Sequence, residues 1–153
     1  MNDMALKEGD SVPNFKGITQ NGETFEFSSC LGKPLVLYFY PKDNTPGCTT
    51  QACGFRDQYE DFVEAGAVVI GVSGDSEESH QKFANKHHLP FILLSDSNKK
   101  IRNIFGVPTH FFGLLPGRVT YIIDKKGKIV SVFNSIKAST HIDHALEMVQ
   151  KMV

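Results

Sequence analysis

The chain has 153 residues, with 16 Lys and Arg against 17 Asp and Glu and a formal net charge of −1. Because a nearly neutral chain lacks the basic surface that attracts nucleic acids and anionic membranes, we expect neither as a partner. Hydrophobic residues make up 41% of the chain, which is enough for one packed core. We therefore expect residues 1–153 to form a single domain.

The apolar segments and the cysteines bear on the compartment. The longest strongly apolar run, Leu35 to Tyr40, is too short to span a bilayer, and the first residues do not resemble a secretory signal. The three cysteines, Cys30, Cys48 and Cys53, are too few for a structural disulfide framework and favour a reducing compartment. We expect a cytoplasmic location, and an organelle reached with a transit peptide that is later removed stays open.

Four segments rich in Val, Ile, Tyr and Phe are predicted to be buried strands. They are Pro34 to Tyr40, Ala67 to Ser73, Val119 to Asp124 and Lys128 to Asn134. The three residues between the last two segments are short enough to close a hairpin.

Helices are predicted between and after these strands. Their ranges are 47–65, 76–88, 98–105 and 139–153. The first carries an apolar stripe at helical spacing, made of Ala52, Phe55, Tyr59, Phe62 and Val63. Gly66 is expected to end that helix, and Ser76 to cap the start of the next one. The alternation of strands and helices, followed by a hairpin, predicts an α/β fold with a mixed sheet flanked by helices.

The loop after the first predicted strand carries the candidate chemistry. Thr45 followed by Pro46 indicates a helix N-cap with proline at the first helical position. Cys48 then lies in the first turn, where unpaired N–H groups and the positive end of the helix dipole favour a thiolate. Ionisation alone accelerates a thiol little, because a more acidic thiol is a weaker nucleophile. We therefore expect hydrogen-bond donors around Cys48 that stabilise charge on the leaving group.

Residues 41–48 resemble the P-x-x-x-T-x-x-C signature of peroxiredoxins. The longer run YFYPKDNTPGCTTQAC, at 38–53, resembles the PrxQ branch of that family, also called bacterioferritin comigratory protein. Three more segments match it in the same order: GVSGDS at 71–76, LLSDS at 93–97 and PGRVTYIID at 116–124. The resemblance implies a thioredoxin-like fold, reduction of hydroperoxides, and no metal or organic cofactor.

The resemblance also implies roles for individual residues. Cys48 would attack the peroxide, and Cys53 would resolve the resulting sulfenic acid as an intramolecular disulfide. Thr45 would hydrogen-bond the thiolate and the peroxide, Pro41 would shield the pocket from water, and Arg118 would stabilise the thiolate and orient the peroxide. Thioredoxin or a similar dithiol reductant would recycle the enzyme, and the resemblance favours a monomer.

Other interpretations stay open from the residues alone. Cys48 and Cys53 could be buried small side chains, or half of a zinc site completed by histidines. A thiol–disulfide oxidoreductase would normally use Cys-x-x-Cys, which is absent, and a non-catalytic binding or chaperone module would need neither cysteine. Cys30 matches no functional position. His141 and His144 share a helix face and are interpreted as solvated surface.

The spacing of the two candidate cysteines constrains the chemistry. Five residues along an α-helix separate the Cα atoms by about 8.7 Å, whereas a disulfide needs them within about 7 Å. The start of the helix must therefore unwind before Cys53 can bond to Cys48. Gly54 would ease this step, because an interior glycine costs a helix roughly 1 kcal/mol relative to alanine. Close packing against another element is the equal alternative for Gly54.

Overall fold

A computed structural model describes residues 5–110 and 115–152 of the chain. Within these residues, seven strands form one sheet in the order β2-β1-β5-β4-β3-β8-β9. The strands are β1 Lys16–Thr19, β2 Thr24–Glu26, β3 Leu35–Phe39, β4 Val68–Ser73, β5 Ile92–Ser95, β8 Val119–Ile123 and β9 Ile129–Asn134. A separate pair is formed by β6 Thr109–His110 and β7 Leu115–Pro116.

The sheet is mixed, as the sequence predicts. Strand β4 runs parallel to both β3 and β5, whereas β8 pairs antiparallel with both β3 and β9. Every residue of β3 and β8 is buried, because helices or loops cover both faces of these central strands. The four predicted strands and the hairpin between β8 and β9 are confirmed within one or two residues at each end.

In the described part of the chain, five α-helices accompany the sheet: α1 Pro46–Asp57, α2 Tyr59–Glu64, α3 Glu77–His87, α4 Lys100–Phe105 and α5 Ala138–Gln150. One core layer packs α1, α2, α3 and α5 against one face of the sheet. The other face is covered by α4, by residues before β1, and by a 3₁₀ turn at Phe27–Cys30. Within the described ranges, none of the helices is long and apolar enough to cross a membrane.

The predicted single helix over 47–65 is wrong, because the chain forms two helices that meet at Gln58. This residue leaves helical geometry, with φ −102° and ψ 10°. The change of direction keeps Phe62 buried and turns Val63 outward, where 53% of it is exposed. In a single straight helix, Val63 would lie on the same buried face as Phe62, as the predicted apolar stripe requires.

Two predicted helix boundaries are confirmed by their hydrogen bonds. Ser76 caps α3, since its hydroxyl accepts a hydrogen bond from the Ser79 N–H at 3.1 Å. Gly66 follows α2 with a φ of +76°, and its N–H donates to the Val63 carbonyl at 2.9 Å. A left-handed residue in this place ends a helix, and glycine adopts that conformation without strain.

The interpretation of His141 as solvated surface is wrong, because its ring is fully buried between α5 and the sheet. Its Nε2 lies 2.7 Å from the Ser135 carbonyl oxygen, which can only accept, so Nε2 carries a hydrogen. Its Nδ1 lies 2.8 Å from the Thr120 hydroxyl and accepts from it. His144 is partly buried, with its Nε2 2.7 Å from the Ser131 hydroxyl.

Burial of the neutral His141 makes stability depend on pH. Desolvation lowers the pKa of His141 in the folded chain, and the Arg118 charge lowers it further, against a hydrogen bond to Ser135 that raises it. As pH falls below the ordinary value of about 6.5, the unfolded chain takes up this proton first, so the folded state loses stability. Each pKa unit of that difference corresponds to about 1.4 kcal/mol.

We therefore expect the free energy of unfolding to fall between pH 7 and pH 5, and to fall less in a His141→Gln variant. Glutamine offers one donor and one acceptor but does not titrate. Urea unfolding at the two pH values measures the difference. The same pH dependence in both proteins would show that His141 does not set it.

Candidate active site

The structure places Cys48 in the first turn of α1, as the sequence predicts. Strand β3 delivers the chain to a short loop, Thr45 occupies the N-cap position, and Pro46 is the first helical residue. The Thr45 carbonyl accepts from the Thr49 N–H at 2.9 Å, which closes the first turn. Cys48 is only 1% exposed and is not disulfide-bonded.

The Thr45 side chain does not cap the helix as predicted. Its hydroxyl donates instead to the Lys42 carbonyl at 2.8 Å. Asn44 adopts the left-handed conformation, with φ 64°, and turns the loop so that these two groups meet. With its proton held by Lys42, the Thr45 oxygen keeps lone pairs that can accept a hydrogen bond. Pro41 lies partly buried at the start of the same loop.

Sheet register brings Arg118 to Cys48 across 70 residues of sequence. Strand β8 pairs antiparallel with β3, and Val119 lies opposite Phe39, so the residue before β8 meets the loop after β3. The Arg118 Nη2 lies 3.5 Å from the Cys48 sulfur. A fixed positive charge at this distance is suited to stabilise a developing anion.

Gln51 belongs to this site, although the sequence analysis did not single it out. Its side chain is fully buried one helical turn after Cys48, and its Oε1 accepts from the Arg118 Nη1 at 2.6 Å. The guanidinium therefore contacts Cys48 with one nitrogen and Gln51 with another, which fixes its orientation. The i, i+3 spacing from Cys48 to Gln51 is the sequence signal that could have identified it.

Gly47 leaves room for this arrangement. A Cβ added at Gly47 would lie 2.9 Å from the Arg118 Nη2. Because that nitrogen is held by its contact with Cys48, a side chain here would push the guanidinium away from the sulfur.

Cys53 lies on the same uninterrupted helix as Cys48 and is partly exposed. It lines an open groove between α1 and α5, together with Gly54, Asp57, Ile142 and Asp143. An intact helix keeps the two cysteines apart, at the separation of about 8.7 Å expected from ideal geometry. The reduced structure thus leaves one thiol buried beside an arginine and the other facing a surface groove.

Cys30 differs from both candidate cysteines in its surroundings. It is buried in the core layer on the opposite face of the sheet from Cys48. Desolvation raises the pKa of the Cys30 thiol, against a hydrogen bond from Ser29 and the Lys33 charge that lower it. A buried, protonated thiol is a poor nucleophile, which fits the absence of a predicted role.

Gly54 makes a close contact that its sequence context did not reveal. A Cβ added there would lie 2.8 Å from the Cδ1 and 2.9 Å from the Cγ1 of Ile142 on α5. Glycine at this position therefore lets α1 and α5 approach each other. Of the two alternatives for Gly54, close packing has a direct structural basis.

We expect Gly54→Ala to destabilise the protein, because overpacking costs about 1–3 kcal/mol and outweighs the roughly 1 kcal/mol gained in helix propensity. Ile142→Val removes the nearest atom, so the double variant should recover part of the loss. Urea unfolding of the two single variants and the double variant measures this coupling. Strictly additive effects would mean that the two residues do not clash.

A metal site at the two cysteines is not supported by the described part of the chain. There, the group of side chains with spacing suited to a metal is Asp43, Asp75 and His80, which contains no cysteine. The half-site interpretation of Cys48 and Cys53 therefore gains no further ligands from this structure.

Comparisons with known proteins identify the family of the chain. Residues 9–132 match the AhpC/TSA family. The chain is 51% identical over 148 residues to the chloroplastic peroxiredoxin Q of Sedum lineare, covering 96% of this chain and 80% of that protein. Its fold superposes on the crystal structure of the peroxidoxin BcpB from Mycobacterium tuberculosis with a TM-score of 0.90 and 36% identity, covering 97% of this chain and 99% of that one.

A second solved structure belongs to a bacterioferritin comigratory protein from Xanthomonas campestris that is described for its alkyl peroxide reduction activity. It superposes with a TM-score of 0.87 and 30% identity, covering 98% of this chain and 99% of that one.

Proposed function

The chain belongs to the AhpC/TSA family, in its peroxiredoxin Q branch, and is a thiol-dependent peroxidase with a thioredoxin-like fold; from this we propose that Cys48 is the thiol that attacks the peroxide. The observation that carries the proposal is the 3.5 Å contact between Arg118 and the Cys48 sulfur at the start of α1. The alternatives, a thiol–disulfide oxidoreductase or a non-catalytic binding module, are not favoured by these relatives.

In the first step, the Cys48 thiolate attacks one peroxide oxygen. An S–O bond forms, the O–O bond breaks, and the departing alkoxide or hydroxide takes a proton from solvent, leaving Cys48 as a sulfenic acid. The Arg118 guanidinium, oriented by Gln51, stabilises the negative charge as it moves from sulfur to the departing oxygen. The Thr45 oxygen accepts a hydrogen bond from the peroxide O–H, since its own proton is held by Lys42.

Burial of Cys48 is part of this proposal. The sulfur is shielded from bulk water, and a partly buried Pro41 limits solvent entry at the start of the loop. In such surroundings the Arg118 charge acts more strongly than it would in water. A peroxide enters through small movements of the loop or of the guanidinium.

In the second step, Cys53 resolves the sulfenic acid. Its thiolate attacks the Cys48 sulfur, an S–S bond forms, the S–O bond breaks, and the departing hydroxide takes a proton from solvent and leaves as water. Because an intact α1 holds the two residues too far apart, the start of the helix unwinds before this bond forms. The exposed side of Cys53 in its groove leaves the disulfide accessible to a reductant.

A hydroperoxide and a thiol reductant are the partners that the family implies, and we infer thioredoxin or a similar dithiol protein as the specific donor. We also propose that residues 1–153 act as one domain and as a monomer, without nucleic acid or membrane partners.

The chloroplastic names of the relatives favour the organelle alternative over the cytoplasm that we expected from the sequence.

A coupled assay tests the reductant and the role of Cys53 together. With thioredoxin, its reductase and NADPH, hydrogen peroxide should drive continuous NADPH consumption. The Cys53→Ser variant should still consume one equivalent of peroxide but turn over slowly, because it cannot present the intramolecular disulfide. If the parent enzyme consumes peroxide once and NADPH is not oxidised, the electron donor is another thiol.

A further inference from the structure

Asp43 lies in the loop before α1, five residues ahead of Cys48, and its carboxylate is buried with 4% exposure. Its Oδ1 accepts from the Tyr40 hydroxyl at 2.6 Å, and its Oδ2 accepts from the Ser79 hydroxyl at 2.8 Å. The same Oδ2 lies 2.7 Å from Nδ1 of His80, which is fully buried on α3. The Asp43 backbone N–H donates to the Asp75 carboxylate at 2.8 Å.

The hydrogen bonds of His80 show how many hydrogens the side chains of Asp43 and His80 hold together. Its Nε2 lies 3.0 Å from the Leu94 carbonyl oxygen, so Nε2 must carry a hydrogen. The 2.7 Å contact between Nδ1 and the Asp43 oxygen requires a second hydrogen between them. The pair is therefore electrically neutral as a whole, which suits a site without solvent.

This cluster is complete without a cation. The Asp43, Asp75 and His80 ligand atoms lie within 4.8 Å of one another, as in a metal site. However, the Asp75 oxygen that faces Asp43 also accepts from the Ser73 hydroxyl at 2.6 Å, and the His80 contact is a short hydrogen bond. A metal ion would have to break these bonds.

The cluster instead joins the active-site loop to the rest of the fold. Asp43 lies between Pro41 and Thr45, and it is held by α3 and by Asp75 in the loop before α3. Asp75 in turn accepts from Ser73 at the end of β4. Through His80 the link continues to the Leu94 carbonyl on β5. Arg118 reaches Cys48 from the other direction, from the start of β8. The loop before α1 and the Arg118 side chain are therefore held by different parts of the fold, and both lie beside the Cys48 sulfur.

We propose that Asp43 and His80 are positioning residues for the peroxide reaction. They fix the position of the loop that carries Pro41 and Thr45 relative to Cys48 and Arg118. This inference rests on the proposed function. Displacement of a reacting group by about 1 Å can slow a reaction by roughly 10²-fold, so a loose loop should impair the first step strongly. The second step needs the start of α1 to unwind, and an unanchored loop does not hinder unwinding.

Asp43→Ala is therefore expected to slow Cys48 oxidation by about tenfold or more, while the sulfenic acid goes on to the disulfide at least as fast as in the parent. Asp43→Asn should stay within about threefold of the parent in both steps. Its amide nitrogen can donate to the Nδ1 of a neutral His80, and its oxygen can accept from Tyr40. This conservative variant separates the geometry of the link from its charge.

Rapid mixing with hydrogen peroxide, followed by acid quenching, alkylation and mass spectrometry, follows the two steps separately. Glu78→Ala on the exposed face of α3 is the matched control, since it changes an acidic residue next to the cluster without touching it. If Asp43→Ala does not fold, His80→Gln and Ser79→Ala replace it. Each removes one partner of the carboxylate and should slow the first step alone.

Cys48 oxidation within about threefold of the parent in folded Asp43→Ala, or in both replacement variants, would overturn the positioning role. Equal slowing of both steps would do the same, because it would indicate a general loss of structure. If the parent itself is not oxidised at Cys48, the proposed function fails rather than this inference.

Discussion

Cys48→Ser is expected to lose peroxidase turnover and keep its fold. Serine fits the buried space of the cysteine, and its hydroxyl can still accept from Arg118, so little packing is lost. The hydroxyl is not ionised at neutral pH and is a far poorer nucleophile toward a peroxide oxygen. By analogy with other enzymes that lose their nucleophile, the loss should be on the order of 10⁴-fold or more.

Two cysteine controls make this result specific. Cys30→Ser should keep full turnover, since Cys30 is buried on the other face of the sheet. Cys53→Ser should still reduce one equivalent of peroxide. Peroxide consumption by each variant, together with urea unfolding, separates loss of chemistry from loss of structure. Turnover that survives in Cys48→Ser would reject Cys48 as the peroxide-reacting thiol.

Arg118→Ala is expected to slow the oxidation of Cys48 by about 10²-fold or more, which is the usual scale for losing one charge-stabilising donor. The guanidinium contacts the sulfur at 3.5 Å and Gln51 at 2.6 Å, so its removal leaves the developing charge without this donor. Measuring the first oxidation step in a Cys53→Ser background isolates this effect from disulfide formation.

Two further variants, Arg118→Lys and Gln51→Ala, separate the effect of the positive charge of Arg118 from the effect of its orientation. Lysine keeps the charge but cannot bridge Cys48 and Gln51 with a rigid fork, so its rate should lie between those of the parent and the alanine variant. Gln51→Ala keeps the guanidinium but frees it to rotate. If Cys48 in Arg118→Ala is oxidised within about threefold of the parent rate, Arg118 does not stabilise the transition state.

Four strands of the sheet could be predicted because their sequences are mostly apolar. Strands β3, β4 and β8 are rich in aliphatic and aromatic residues and are buried over almost their whole length, and β9, at the edge of the sheet, is partly buried. Strands β1 and β2 have three or four residues each and mix exposed with buried positions. These segments are strands because they pair with each other and with β5, and their own composition does not indicate it. Local sequence patterns therefore did not identify them.

The candidate site was predictable where local structure defines it. The position of Cys48 follows from Thr45, Pro46 and the helix start, which are adjacent in sequence. The contact with Gln51 needs the register of β8 against β3 to bring Arg118 into place, and the burial of Asp43 needs α3 to present His80. A pattern within one segment can place Gln51 on the same helix face as Cys48, but it cannot show that Arg118 or His80 lies beside that segment.

The error at His141 has a similar cause. Its spacing with His144 on a helix is compatible with either face, and polarity alone favoured solvent. The structure buries the ring because Thr120 and Ser135 satisfy both of its nitrogens. A buried histidine is stable when it has such partners, and these partners come from β8 and from the loop before α5.

Mass spectrometry of the parent protein after one equivalent of hydrogen peroxide shows directly which cysteine reacts with the peroxide and which one resolves it. We expect the loss of two hydrogen atoms from the intact chain and a single cross-linked peptide pair joining Cys48 to Cys53, with Cys30 still alkylated as a free thiol. In Cys53→Ser, the same treatment should leave a sulfenic acid at Cys48. Oxidation that begins at Cys53 or Cys30 while Cys48 stays reduced would show that Cys48 is not the peroxide-reacting thiol.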